Sequence, residues 1–316
     1  MEGRDRKDIF ADELIGTRPI RFRVLPHSIS IRNAYRKFGY HMSINTKVSI
    51  SVQQIASTGD PQVNLTIALE AIRSGAATGA RIVVLPEATH VRFGVDSTPH
   101  AESLDGPWAT AIRKLANELD VYVLVGMFQP ADNGRVMNTI LVTGPGLHSG
   151  YNKIHLYEAY GFSESAAVQA GNVPFTFEVD GMKFGVATCY DIRFPELFRA
   201  YADLGATAVL VPTHWGAGEG KLDAWTLLSR ARALDSTTWI VSCDQADAST
   251  VGIDEPAGPR FGIGHSMAIN PLGQIIEELD DKVGAFVVTV DTETVEQARQ
   301  IVPVLATRKL GIVVPV

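Results

Sequence analysis

Residues 184–197, Phe184-Gly185-Val186-Ala187-Thr188-Cys189-Tyr190-Asp191-Ile192-Arg193-Phe194-Pro195-Glu196-Leu197, read as a strand that turns sharply into a helix, with a cysteine at the turn. Such a position exposes a side chain at the end of a strand, near helix N–H groups whose partial positive charge favours thiolate over thiol. The competing reading is a structural cysteine packed as a small hydrophobe. The second cysteine, Cys243, ends the apolar run Trp239-Ile240-Val241-Ser242 without a helix start or basic neighbour after it, and reads as core.

Just upstream, 175–179 and 183–187 form a hairpin around Asp180-Gly181, a strong two-residue turn signal. Further towards the N-terminus the alternating residues 48–52 predict a strand and 63–74 a helix, followed by the continuously apolar Ile82-Val83-Val84-Leu85. A strand apolar at every position suits a sheet buried on both faces. Helix 108–119, strands at 121–126, 137–142 and near Tyr151, and a loop over 153–171 lead into the hairpin. Beyond the cysteine come helix 194–204, strand 209–211, helix 223–234, strand 239–242, strands at 264–269, 274–277 and 286–290, and a short helix near Glu293. Mixed strands and helices without a linker-like shift favour one α/β domain over 46–316. Residues 1–45 read as an N-terminal extension, because 14–41 carry Arg18, Arg21, Arg23, Arg32, Arg36 and Lys37 and no acidic residue.

Composition narrows the function. With 46% apolar residues among 316, the chain can bury a large core, and its net charge of -7 argues against general affinity for nucleic acid or anionic membrane. Two cysteines and eight scattered histidines, without HExxH or CxxC, leave no pattern for a metal. The longest apolar runs are far too short to span a membrane, and the charged start, Glu2 to Asp8, is unlike a secretory signal. The expected partner is a small molecule and the expected location the cytoplasm.

A nucleophilic cysteine needs a base and a group to stabilise the oxyanion. Glu87 follows the buried strand directly, and Lys153 stands at another strand end in Tyr151-Asn152-Lys153-Ile154-His155-Leu156-Tyr157. In isolation each could be an ordinary surface residue. Taken in order, however, Leu85-Pro86-Glu87-Ala88, Asn152-Lys153-Ile154-His155-Leu156-Tyr157, Glu164-Ser165 and Cys189 to Leu197 resemble the nitrilase superfamily of carbon–nitrogen hydrolases, over about residues 46 to 310.

That resemblance implies a four-layer α-β-β-α sandwich with a Glu–Lys–Cys triad: Glu87 as general base, Lys153 as oxyanion stabiliser and Cys189 as nucleophile. Glu164 matches a second glutamate that helps to hold the lysine and substrate. No cofactor is implied, and a homodimer or higher homo-oligomer is. Tyr190 after the nucleophile, where nitrilases proper commonly carry Trp, resembles the amidase-like branches, so an amide is favoured over a nitrile; an N-carbamoyl compound is the neighbouring alternative. An N-acyltransferase using the same thioester and a non-catalytic scaffold are the readings from other classes. Tyr190 also offers a backbone N–H to the oxyanion. Arg193 could bind a substrate carboxylate or pair with Glu196. Thr213, His214 and Trp215 follow strand 209–211 and are candidate pocket walls. His90, His155, Arg230 and Arg232 read as structural.

Overall fold

Two six-stranded sheets stack face to face, each covered outside by a pair of helices. The computed structural model describes residues 45–253 and 260–311; of the expected N-terminal extension only residue 45 falls within them.

The first sheet begins with β1 (Lys47–Gln54) and β2 (Ile82–Val84), joined through helix α1 (Pro61–Ala77). Asp60 caps α1, its carboxylate accepting from the Gln62 and Val63 N–H groups, and Pro61 supplies the fixed φ of the first turn. Helix α2 (Pro107–Glu118) leads to β3 (Tyr122–Pro130), β4 (Val136–Gly144) and β5 (Leu147–Asn152). Strands β1, β2 and β3 are parallel; β3, β4 and β5 are antiparallel neighbours.

Between 153 and 171, where the sequence suggests only loop, a short hairpin pairs β6 (Glu158–Ala159) with β7 (Phe162–Ser163). Its two turn residues, Tyr160 and Gly161, both take positive φ, and a tyrosine there gives little turn signal. The second sheet contains β8 (Phe175–Val179), β9 (Met182–Val186), β10 (Ala208–Thr213), β11 (Trp239–Asp244), β12 (Met267–Ile269) and β13 (Ile275–Glu278). The hairpin of β8 and β9 turns at Asp180 and Gly181 with φ of 50° and 81°, as the Asp-Gly pair requires. Helices α3 (Pro195–Asp203) and α4 (Lys221–Ser236) cover this sheet, and β14 (Gly284–Asp291) returns to the first sheet beside β1 before α5 (Thr292–Ile301) and α6 (Val304–Thr307).

Three apolar layers hold the sandwich together. Between the sheets lie Ile50, Val52, Val84, Leu124, Val186, Leu210 and Val241. Outside the first sheet α1 and α2 pack Ile72, Trp108 and Ile112 on Val83, Leu85 and Val125, while Phe198, Tyr201 and Trp225 pack on Val209 and Val211 outside the second. Alternate residues of one strand therefore serve two layers, which explains the unbroken apolar runs. Cys243 belongs to the inter-sheet layer, its sulfur 3.4 Å from the carbonyls of Gln53 and Val84. Among the described residues no helix is long and apolar enough to cross a membrane.

Candidate active site

The carboxyl ends of β2, β9 and β10 come together at one edge of the sandwich with the segment that follows β5. Glu87 is fully buried there. Its backbone lies so close to β3 that a Cβ on Gly126 would stand 2.6 Å from the Glu87 Cα and 2.3 Å from the Ala88 nitrogen, so only glycine fits.

Around Glu87 every polar contact is a donor. Lys153 Nζ lies 3.0 Å and Asn138 Nδ2 2.8 Å from Oε1, while the His214 backbone N–H donates to Oε2 at 2.9 Å. The same lysine reaches Glu164 Oε2 at 2.9 Å, and Asn138 Nδ2 also donates to Glu164 Oε1 at 3.0 Å. Glu164 is fixed further by the Tyr157 N–H at 2.7 Å. One ammonium is thus shared between two carboxylates, all three buried.

The electrostatics follow from that burial. Loss of water raises the Glu87 carboxyl above its ordinary value; Lys153 opposes the shift and Glu164 adds to it. Burial alone would lower the Lys153 ammonium, but Glu164 and Glu87 outweigh it and hold the lysine charged well beyond its usual range. Burial, with the Glu87 carboxylate, raises the Cys189 thiol well above normal despite Lys153. The α-helix N-terminus expected to favour the thiolate does not stand at Cys189. Cys189 opens a single 3-10 turn, Cys189–Arg193, and α3 begins only at Pro195, since the residue before a proline is disfavoured in helical conformation. Burial and the Glu87 carboxylate thus favour the protonated thiol.

Cys189 itself occupies left-handed backbone with φ of 49°, a strained position for a side chain at a strand-to-turn junction. Asp191 over-determines it. Its carboxylate accepts from the Thr188 N–H at 2.9 Å, the Tyr151 hydroxyl at 2.7 Å, the His155 N–H at 3.0 Å and lies 2.7 Å from His155 Nδ1. Tyr151 and His155 flank Lys153 at two residues on either side, so Asp191 ties the lysine segment to the cysteine turn. His155 also stacks on Phe194 with centroids 3.7 Å apart, which accounts for its structural reading.

Above Cys189 opens a cleft with several aromatic walls, among them Phe93, Tyr157, Phe162, Trp215 and Phe261. Arg193 and His214 line it too; Thr213 does not, because its hydroxyl turns back to the Val211 carbonyl at 3.0 Å and the residue is completely buried. Tyr190 is not among the residues that line the cleft; its ring stands edge-on to Tyr157. Among the described residues Arg193 forms no salt bridge with Glu196; its guanidinium lies over the rings of Tyr190 and Trp215, 5.9 Å and 5.6 Å from their centroids. His214 has its imidazole pushed down to about 3 by burial and by Arg92, and so is neutral; its backbone meets both Glu87 and, through its carbonyl, the Cys189 sulfur at 3.8 Å. Trp215 is held by the buried Asp244, which also accepts from the Ile263 N–H.

The residues that sequence reasoning missed are Asn138, Phe93, Tyr157, Phe162, Lys221 and Phe261. Asn138 has a signal, an amide inside the largely apolar β4, since such a group is buried only with partners. The others converge from distant elements.

A model of the carbon–nitrogen hydrolase family matches residues 49–300. A hydrolase of Mycobacterium tuberculosis is 41% identical over 262 residues, covering 81% of this chain and 94% of its own. The deaminated glutathione amidase of Escherichia coli O157:H7 is 31% identical over 267 residues, covering 83% and 97%. Among solved structures, Saccharomyces cerevisiae Nit3, a member of branch 10 of the nitrilase superfamily, superposes with a TM-score of 0.72 at 27% identity, covering 84% of this chain and 97% of its own.

Proposed function

The chain belongs to the carbon–nitrogen hydrolase family, and from that premise we propose that it is an amidase that cleaves a small carboxylated amide through a thioester at Cys189. The observation that carries this reading is the buried ammonium of Lys153, shared between Glu87 and Glu164, in the cleft that Cys189 also lines.

In this mechanism the Glu87 carboxylate takes the thiol proton while sulfur attacks the amide carbon. The raised Glu87 carboxyl suits a group that must accept and return a proton. Lys153, with the Tyr190 N–H, stabilises the oxyanion; because Glu164 and Asn138 already orient the ammonium, little reorganisation is needed. Collapse of the intermediate breaks the C–N bond, and the Glu87 carboxyl gives its proton to the departing nitrogen. Water, deprotonated by Glu87, then attacks the thioester and releases the carboxylic acid, with the proton returned to sulfur. Arg193, on the pocket wall without a carboxylate partner among the described residues, is the group that receives the substrate carboxylate.

The test is ammonia release from a panel of carboxylated and neutral amides, combined with intact-mass detection of the acyl-enzyme. Cys189→Ala should abolish both signals with an unchanged circular dichroism spectrum, and Cys243→Ala should retain most of the activity. Equal loss in the two variants, or turnover by Cys189→Ala, would refute the thioester.

A further inference from the structure

A closed collar of contacts joins four cleft-lining residues, Arg193, Trp215, Lys221 and Tyr157, to Tyr190. Arg193 lies over Tyr190 and Trp215. The Trp215 indole N–H donates to the Lys221 carbonyl at 3.0 Å. Lys221 Nζ in turn donates to the Tyr157 hydroxyl at 3.3 Å, and Tyr157 meets Tyr190 edge-on with centroids 5.1 Å apart. The ring contains two cations, separated on one side by Trp215 and on the other by Tyr157 and Tyr190.

Among the described residues neither cation has a carboxylate partner. The carboxylates of the site, Glu87 and Glu164, are committed to Lys153 below the collar. Lys221 instead rests on aromatic surface, 3.6 Å from the Tyr160 ring centroid, and that ring is 80% exposed. A ring face at the surface holds an ammonium less firmly than a carboxylate does, so such a contact parks the lysine without neutralising it. In a chain of net charge -7, an aromatic cleft rimmed by two unneutralised cations is matched to a ligand with more than one negative charge.

We propose that Lys221 is a specificity-determining residue that reads a second anionic group, so that the preferred substrate is a dianionic amide with one acidic group held at Arg193 and the other at Lys221. The inference rests on the amidase reading above. An amide carbon seated at Cys189 sends its acyl and amine arms upward in different directions, and the collar offers a cation to each.

The probes are N-glutarylglycine, with a carboxylate on either side of its amide, glutaramate, with one, and butyramide, with none. In the wild type, kcat/KM should rise along the series butyramide, glutaramate, N-glutarylglycine, the last step by about tenfold or more, as for one added charge-assisted pair. Lys221→Met should reduce N-glutarylglycine at least about tenfold more than butyramide, mostly through KM, and Lys221→Arg should restore the preference. A fall of the same size for every substrate, as a purely structural lysine would give, overturns the proposal; so does a wild type that favours the monoanion.

Binding is read separately from turnover, as protection of Cys189 from iodoacetamide. If N-glutarylglycine protects the wild type at lower concentration than glutaramate does and Lys221→Met loses that difference, the dianion site stands even where no amide is hydrolysed, and only the amidase reading falls. If amides are hydrolysed without any such difference in protection, the dianion site falls alone.

Discussion

Replacing Lys153 by methionine should unfold the site far more readily than removing either of its partners. The buried cluster holds two carboxylates and one ammonium, with Nζ 3.0 Å from Glu87 and 2.9 Å from Glu164. Methionine keeps most of the volume but leaves both carboxylates without their cation, a loss of the kind that costs about 3–5 kcal/mol. At roughly 2–4 °C per kcal/mol for a chain of this size, the melting temperature should fall by about 6–20 °C. Glu87→Gln, by contrast, leaves Lys153 paired with Glu164 and loses about 1–3 kcal/mol as one acceptor becomes a donor facing other donors. Both variants should lose activity, so melting separates them where turnover does not.

The pH dependence of that difference carries a definite sign. Glu87 is raised in the folded wild type, chiefly by burial, and removing the lysine that opposes the shift raises it further. A carboxyl raised by folding binds its proton more tightly in the folded state, so its destabilisation is greatest above the raised value and is relieved as pH falls through it. The gap between wild type and Lys153→Met should therefore narrow between about pH 7.5 and about pH 5. Thermal melts followed by circular dichroism at both pH values provide the measurement. A methionine variant as stable as the wild type, or a gap that widens on acidification, would refute the account of two carboxylates sharing one cation.

Tyr151→Phe removes the 2.7 Å bond to Asp191 and should cost about 1.5–3 kcal/mol, with a lower melting temperature and a lower kcat. An unchanged melting temperature would mean that Asp191 does not depend on that donor. In the wild-type pH profile, the acid limb of kcat/KM should lie above the ordinary carboxylate value, because activity requires ionised Glu87 and burial raises its carboxyl; a limb at the ordinary value would remove Glu87 from the base role. A chain starting at Met42, three residues before the first described residue, should fold and keep its specific activity. Insolubility, or inactivity on a substrate that the full chain hydrolyses, would make the preceding segment part of the fold.

What could be read from the residues divides along physical lines. Runs such as Ile82-Val83-Val84 and the Asp180-Gly181 turn carry their conformation locally, and the strand ends that bear Glu87, Lys153 and Cys189 were recognisable for that reason. The thiol's protonation was not, because it depends on burial and on a carboxylate from the other sheet. His214 works through its peptide N–H and carbonyl, which leave no trace in a side chain. Lys221 and Phe261 line the cleft from positions far from the catalytic motifs in the sequence. Thr213 shows the converse error: a position one residue from the pocket wall points the wrong way along the strand.

The polar cluster is assembled from both halves of the sandwich. Glu87, Asn138 and Lys153 follow or belong to strands of the first sheet, whereas Cys189 and His214 follow strands of the second. Nothing covalent fixes the distance between these groups; the apolar filling between the sheets does, through residues such as Val84, Leu210 and Val241, together with the hydrogen bonds from His214 to Glu87 and from Tyr151 and His155 to Asp191. That filling therefore acts as a spacer, and its thickness is a kinetic parameter. A trimmed methyl group in it can leave the melting temperature within a few degrees while letting nucleophile and base drift relative to each other, and a misplacement of about 1 Å can cost on the order of 10²-fold in rate. Turnover is consequently a finer gauge of sheet-to-sheet spacing in this protein than any melting curve, and variants selected only for heat resistance could lose activity without a single change near the cleft.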